Sequence, residues 1–154
     1  MFSRFAAGMS RVRYRRFLSG VFQFGTCRSW LSGAEMCLKS ETFAGNECGA
    51  TKLNVRELLV ASHILPWGTH VGERLNVRNG LCLSRLHDAA FDRGLIAFDE
   101  NLRLLLSPSL EGELSQRAVA ENFGAYEGEA LWLPEDAALP EMAFLAEHRR
   151  RVVR

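Results

Sequence analysis

The densest pattern of apolar and polar positions runs over residues 58–107, LLVASHILPWGTHVGERLNVRNGLCLSRLHDAAFDRGLIAFDENLRLLLS. The apolar, partly branched run 58–64 ends at Pro66 and predicts a buried strand, because proline cannot continue a central ladder. Residues 66–78 hold Trp67, two glycines and Glu73-Arg74-Leu75, a stretch too long for a tight hairpin and rich in loop formers, so an ordered loop is expected. Asn79-Gly80 is a turn signal, and residues 81–83 predict a second short strand. Ser84 is placed as a helix N-cap with Asp88 on the first turn and Gly94 as the stop. The resulting order is strand, loop, strand, helix.

Downstream, the apolar runs 95–99 and 102–106 flank Glu100-Asn101 and predict a β-hairpin with residues 104–106 buried. A helix is expected over 111–121. Trp132 reads either as part of a short strand or as an anchor on the core. A last helix is expected from Pro140 at its first position, through Phe144 and Leu145, to the basic run Arg149-Arg150-Arg151. That run suits a helix C-terminus through the dipole and could equally reach a nucleic acid. Upstream, Met36, Leu38 and Phe43 among good helix formers suggest a short helix between Gly33 and Gly45.

A chain of 154 residues, 47% hydrophobic and 24% charged, has an ordinary globular composition with enough apolar material for one modest core. No stretch approaches the apolar length of a membrane span, so no membrane partner is expected. The net charge of +1 decides little, but its distribution is uneven. Residues 1–33 contain six arginines (4, 11, 13, 15, 16 and 28) and no acidic residue. Such a segment is suited to phosphate contacts, has the composition of a mitochondrial presequence, or is simply a basic terminus. Residues 111–147 carry nine acidic residues against one arginine and make a poor face for DNA. The expected organisation is a basic segment over 1–33 and one domain over 34–154, with its core at 46–107 and a helical extension over 108–154. Cys27, Cys37, Cys48 and Cys82 show no Cys-x-x-Cys spacing, and reduced thiols in a cytoplasmic compartment are the simpler reading.

Candidate chemistry concentrates at His63, Asn79 and the His87-Asp88 pair. On a helix Asp88 and Asp92 share one face, while His87 and Phe91 share another with Leu86 and Ala90. This favours Asp88 over His87 as a ligand for a cation. Asp92 is then a second ligand or a partner for Arg85 or Arg93. A lone histidine ending a strand is more often a hydrogen-bonded core residue than a catalyst, and an isolated Asn-Gly is usually only a turn. His70 and His148 read as surface histidines.

The series Ala61-Ser62-His63-Ile64 with Pro66-Trp67, then Arg78-Asn79-Gly80-Leu81, then Leu86-His87-Asp88 with Phe91-Asp92-Arg93-Gly94-Leu95-Ile96, resembles the HNH endonuclease family, in the branch without zinc-knuckle cysteines. The resemblance spans about residues 46–107. It implies an α+β fold in which a ββα-metal core, here with an added β-hairpin and flanking helices, holds one divalent cation against a DNA phosphate. It also implies metal-dependent hydrolysis of DNA to a 5′-phosphate and a 3′-hydroxyl, in a setting such as restriction.

Carried onto this sequence, the resemblance makes His63 the general base. Asn79 either pins the loop or reaches the metal. Asp88 stands nine residues after Asn79, where the family's last histidine commonly lies, with His87 as the alternative ligand. Ser62 stands where many relatives carry an acidic or histidine ligand, so the cation would be held by few protein groups. Oxygen ligands favour Mg²⁺ or Mn²⁺, and a histidine ligand would widen the choice to Ni²⁺ or Zn²⁺. Arg74, Arg78 and Arg85 are candidates for contacting the DNA backbone, and each is equally suited to an ordinary salt bridge. A non-catalytic nucleic-acid-binding module with the same fold is the rival reading. Oligomeric state is open, with double-strand cutting by a single site favouring a homodimer.

Overall fold

The strand expected over 58–64 forms as β1, Leu59–His63, in a computed structural model of the chain that describes residues 47–135 and 137–152. Leu58 instead closes a 3₁₀ turn, Arg56–Leu58, and is exposed. The basic 1–33 segment, the helix expected near 33–45, Cys27 and Cys37 lie outside the described residues.

β1 pairs antiparallel with β2, Gly80–Ser84, in the register Leu59 to Ser84, Ala61 to Cys82 and His63 to Gly80. The Ile64 amide donates to the Asn79 carbonyl at 3.1 Å, which carries the ladder one step past the strands. The connection between them holds two 3₁₀ turns, Val71–Glu73 and Val77–Asn79. β2 runs directly into helix α1, Arg85–Asp92, with Ser84 as N-cap, its Oγ accepting from the His87 amide at 3.3 Å. The helix ends in a Schellman motif. Gly94, at φ +66°, donates to the Phe91 carbonyl at 2.9 Å, and Leu95 donates to the Ala90 carbonyl at 2.8 Å. This backbone conformation is the one glycine reaches without a Cβ penalty.

The hairpin forms as β3, Ile96–Phe98, against β4, Leu104–Leu106, with Leu104 and Leu106 buried and Leu105 half-buried. The Asp99 carboxylate shapes its turn by accepting from the Asn101 and Arg103 amides at 2.8 and 2.7 Å. These bonds, that from Arg103 foremost, hold its carboxyl below the usual aspartate range.

The helix expected over 111–121 is two short ones, α2, Pro108–Glu111, and α3, Arg117–Asn122. Pro108 takes the first helical position behind the Ser107 cap, so helix formation starts earlier than the acidic run suggests. The last helix, α4, spans Met142–Val152 and so begins two residues after Pro140. The Glu141 amide donates to the Arg78 carbonyl at 2.9 Å, and the Glu141 carbonyl accepts from Phe144 and Leu145, which moves the start. Trp132 is in no strand. It is half-buried, and its amide donates to the Gly49 carbonyl at 2.7 Å, so it anchors residues 131–134 to the turn before β1.

One apolar cluster joins these pieces, with Ile64, Leu81, Leu83, Phe91, Ile96, Phe98, Leu104 and Leu145 almost wholly enclosed. α1 lies on β1 and β2 and also touches β3, while α4 lies on β3. His148, expected at the surface, is in this core at 3% exposure. On α4 it shares a face with Leu145 and Val152, both buried, and that helical spacing decides its direction. No helix among the described residues is long and apolar enough to cross a membrane.

Candidate active site

His63 closes β1 opposite Gly80 and is half-buried. Its Nε2 lies 3.1 Å from the Arg74 carbonyl oxygen. A carbonyl can only accept, so Nε2 carries the proton in the neutral ring and Nδ1 is the basic nitrogen. The Trp67 ring meets the imidazole edge-on, with centroids 5.2 Å apart. The Arg74 carbonyl and the Trp67 ring both come from the loop after β1.

That loop is held from within by amide side chains. Asn79, 1% exposed, accepts from the Leu65 amide through Oδ1 at 2.8 Å and donates from Nδ2 to the Glu73 carbonyl at 2.9 Å. Its carboxamide is committed to the backbone at both ends of the loop, which is the pinning alternative of the sequence reading. Asn76 adds a second clasp, donating to Glu73 Oε2 at 2.7 Å and accepting from the Arg78 amide at 3.0 Å. Arg74 stacks over Trp67, with Cζ 4.8 Å from the ring centroid, and donates from Nε to the Trp67 carbonyl at 2.8 Å. The carbonyl that orients His63 is thus presented by a residue whose own side chain is anchored.

Across from the histidine lies α1. Asp88 is half-buried and Asp92 exposed, one turn apart on one face of the helix. The Asp92 carboxyl is pushed above the usual aspartate range, first by partial loss of solvent and then by the charge of Asp88. The charges of Arg93 and His63 act on it in the opposite direction. The Asp92 carboxyl therefore lies within electrostatic reach of both Asp88 and His63.

His87 points elsewhere. It is buried, its Nδ1 lies 2.8 Å from Ser84 Oγ, and its Nε2 donates to the Asn122 carbonyl at 2.9 Å. Phe123 and Tyr126 pack on its ring at centroid distances of 5.0 and 6.4 Å. Burial holds its imidazole below the usual histidine range, outweighing the bond to Asn122. Both ring nitrogens are used by the fold. Ser62, 2% exposed, has its hydroxyl buried with no hydrogen-bond partner among the described residues, so the residue before His63 does not open onto the site. Among the described residues no three His, Cys, Asp or Glu side chains converge as a metal cage.

The three arginines differ in their ties. Arg74 is built into the loop. Arg78 is exposed but bridges to α4, with Nε donating to the Leu139 carbonyl at 3.2 Å and a 3.3 Å ion pair to Glu141. Arg85 is exposed on the first turn of α1, three residues before Asp88, and donates to the Glu57 carbonyl at 3.3 Å. The Arg74 carbonyl and the Trp67 edge were not identified from the sequence. A backbone acceptor leaves no residue-type signal, although an Arg and a Trp in one short loop suggest stacking.

Comparison with known proteins bears on residues 48–99, which match the HNH endonuclease family. Among solved structures, the fold is similar to that of a protein described as "Modification dependent TagI restriction endonuclease". The match has a TM-score of 0.54 at 16% identity and covers 79% of this chain and 38% of that one. This chain therefore spans well under half the length of that enzyme. No curated protein matches.

Proposed function

From the match of residues 48–99 to the HNH endonuclease family, we propose that the protein is a metal-dependent endonuclease that hydrolyses DNA phosphodiester bonds, in a restriction-like role. The observation that carries the reading is His63, its Nε2 held by the Arg74 carbonyl, within electrostatic reach of Asp92, which also feels the charge of Asp88 one turn before it.

The donor set fits a hard divalent cation. Two carboxylates on successive turns of one helix face can share a cation, and the Asp92 carboxyl is raised first by burial and then by the charge of Asp88, both of which a cation beside it would offset. Since no group of three His, Cys, Asp or Glu side chains among the described residues could hold an ion, phosphate oxygens and water would complete the shell, which favours Mg²⁺ or Mn²⁺. His87, both nitrogens occupied, gives no reason to add Ni²⁺ or Zn²⁺. When bound, the cation supplies charge stabilisation on the scissile phosphate and the leaving 3′-oxygen.

The remaining work falls to the chain itself. His63 Nδ1 takes a proton from the attacking water, and the bond from Nε2 to Arg74 stabilises the imidazolium that forms. Asn79 acts by holding the loop that carries Arg74. Arg85, exposed beside the acidic face, contacts the DNA backbone. His63→Ala is expected to abolish nicking of supercoiled plasmid in Mg²⁺ or Mn²⁺, a loss on the order of 10²–10⁴-fold, and to leave metal affinity nearly intact. Retained cleavage removes His63 from the base role.

One observation favours the non-catalytic alternative: the described residues contain no three-donor metal group. A binding module predicts DNA retention that is indifferent to EDTA, with no nicking in either metal.

A further inference from the structure

Helix α4 meets the catalytic helix from behind the site. The His148 imidazole lies flat on the Phe91 ring, with centroids 3.6 Å apart and planes 7° from parallel. Its Nε2 donates to the Phe91 carbonyl at 2.9 Å, and the same oxygen accepts the Gly94 amide at 2.9 Å. Phe91 stands between Asp88 and Asp92 in the sequence, with its ring buried in the core while Asp88 is half-buried and Asp92 exposed. His148 Nδ1 is buried with no hydrogen-bond partner among the described residues. An aromatic hydrocarbon would fill the same space without stranding a polar atom, so the Nε2 bond is what the histidine adds.

We propose that His148 is a positioning residue for the acidic face. By holding both the ring and the carbonyl of Phe91, it fixes the rotation of α1 about its axis, and hence where the two carboxylates stand relative to His63. Helix side chains extend about 5–6 Å from the axis, so a rotation of about 20° moves a carboxylate by about 2 Å. That displacement exceeds the tolerance of a cation site. The inference rests on the nuclease reading and adds to it a residue remote from the reacting atoms.

The test uses the full chain with His148→Phe, which keeps the stacked ring and loses the donor, and His148→Gln, which keeps a donor and loses the ring. Wild-type plasmid nicking in Mn²⁺ but not in EDTA establishes the nuclease reading; no nicking overturns that reading alone. Mn²⁺ affinity, followed by electron paramagnetic resonance of the free ion, and the urea midpoint are measured for each protein. His148→Phe is expected to weaken Mn²⁺ binding about tenfold, as loss of an outer-shell partner does, at a urea midpoint close to wild type. His148→Gln is expected to recover part of that affinity. Unchanged Mn²⁺ affinity in a folded His148→Phe overturns the proposal. So does a loss in both variants that merely follows their urea midpoints.

Discussion

Asn79 joins the two ends of the 65–79 loop through one carboxamide, and the position of His63's backbone partner depends on it. Asn79→Ala leaves the Leu65 amide and the Glu73 carbonyl without their partners, at a cost of about 1–3 kcal/mol for each group that stays buried and unsatisfied. Urea unfolding is expected to show a large drop, and the surviving folded protein to nick slowly. A small drop would mean that the loop is held by Asn76 and the Trp67–Arg74 stack instead. The buried histidines give a second residue-scale prediction. Burial holds His87 and His148 below the ordinary histidine value, against the smaller raising effects of Asn122 and Phe91. The unfolded chain therefore takes up these protons first as pH falls. Their stabilisation is complete above about pH 6.5 and is lost as pH drops from there towards the folded values, at about 1.4 kcal/mol per pH unit for each proton. The urea midpoint in EDTA is expected to fall between pH 7.5 and 5.5, and to fall less in His148→Phe. A flat profile would contradict this.

The turn that ends α1 matters at the scale of the element. Gly94 is left-handed, and an added Cβ would meet Val152 only at 3.6 Å, so Gly94→Ala is a test of backbone conformation with little steric cost. A loss of about 1–2 kcal/mol in urea unfolding is expected; no loss would mean that the turn relaxes to another conformation. This ending was legible in the sequence, as were the Ser84 cap, both strands of the first hairpin and the alternation that separates Asp88 from His87. Each is set by nearest-neighbour chemistry or by periodicity. The start of α4 was not legible, because Glu141 is recruited by the distant Arg78 carbonyl. The split of residues 108–122 into two helices was missed because the Ser107 cap begins a turn that Gly112 ends. His148 was read as a surface histidine, whereas its helical spacing with Leu145 and Val152 turns it into the core. Its neighbour Arg149 also leaves bulk solvent in part, donating to the Phe98 carbonyl at 2.8 Å and pairing with Glu100.

For the molecule as a whole, a net charge of +1 hides an acidic stretch after the site and arginines around it. Arg85 is bound only to the Glu57 carbonyl among the described interactions, whereas Arg78 is tied to Glu141 and Leu139. If Arg85 contacts phosphate, Arg85→Ala is expected to lower the salt slope of DNA binding by about one. Arg78→Ala is expected to leave that slope unchanged while loosening the start of α4; equal slopes for both variants and wild type would place the DNA track elsewhere. The fold and the match of residues 48–99 to the HNH endonuclease family are common to every reading of this chain, and what separates an enzyme from a binding module is the division of labour across the site. The most direct measurement of that division is Mn²⁺ binding in the presence of supercoiled plasmid, comparing wild type, His63→Ala, and His63→Ala with Asp88→Asn and Asp92→Asn added. The account predicts that His63→Ala binds Mn²⁺ like wild type and leaves the plasmid uncut, and that adding the two asparagines removes the ion. Mn²⁺ binding that is lost with His63 alone, or that survives removal of both carboxylates, would contradict it.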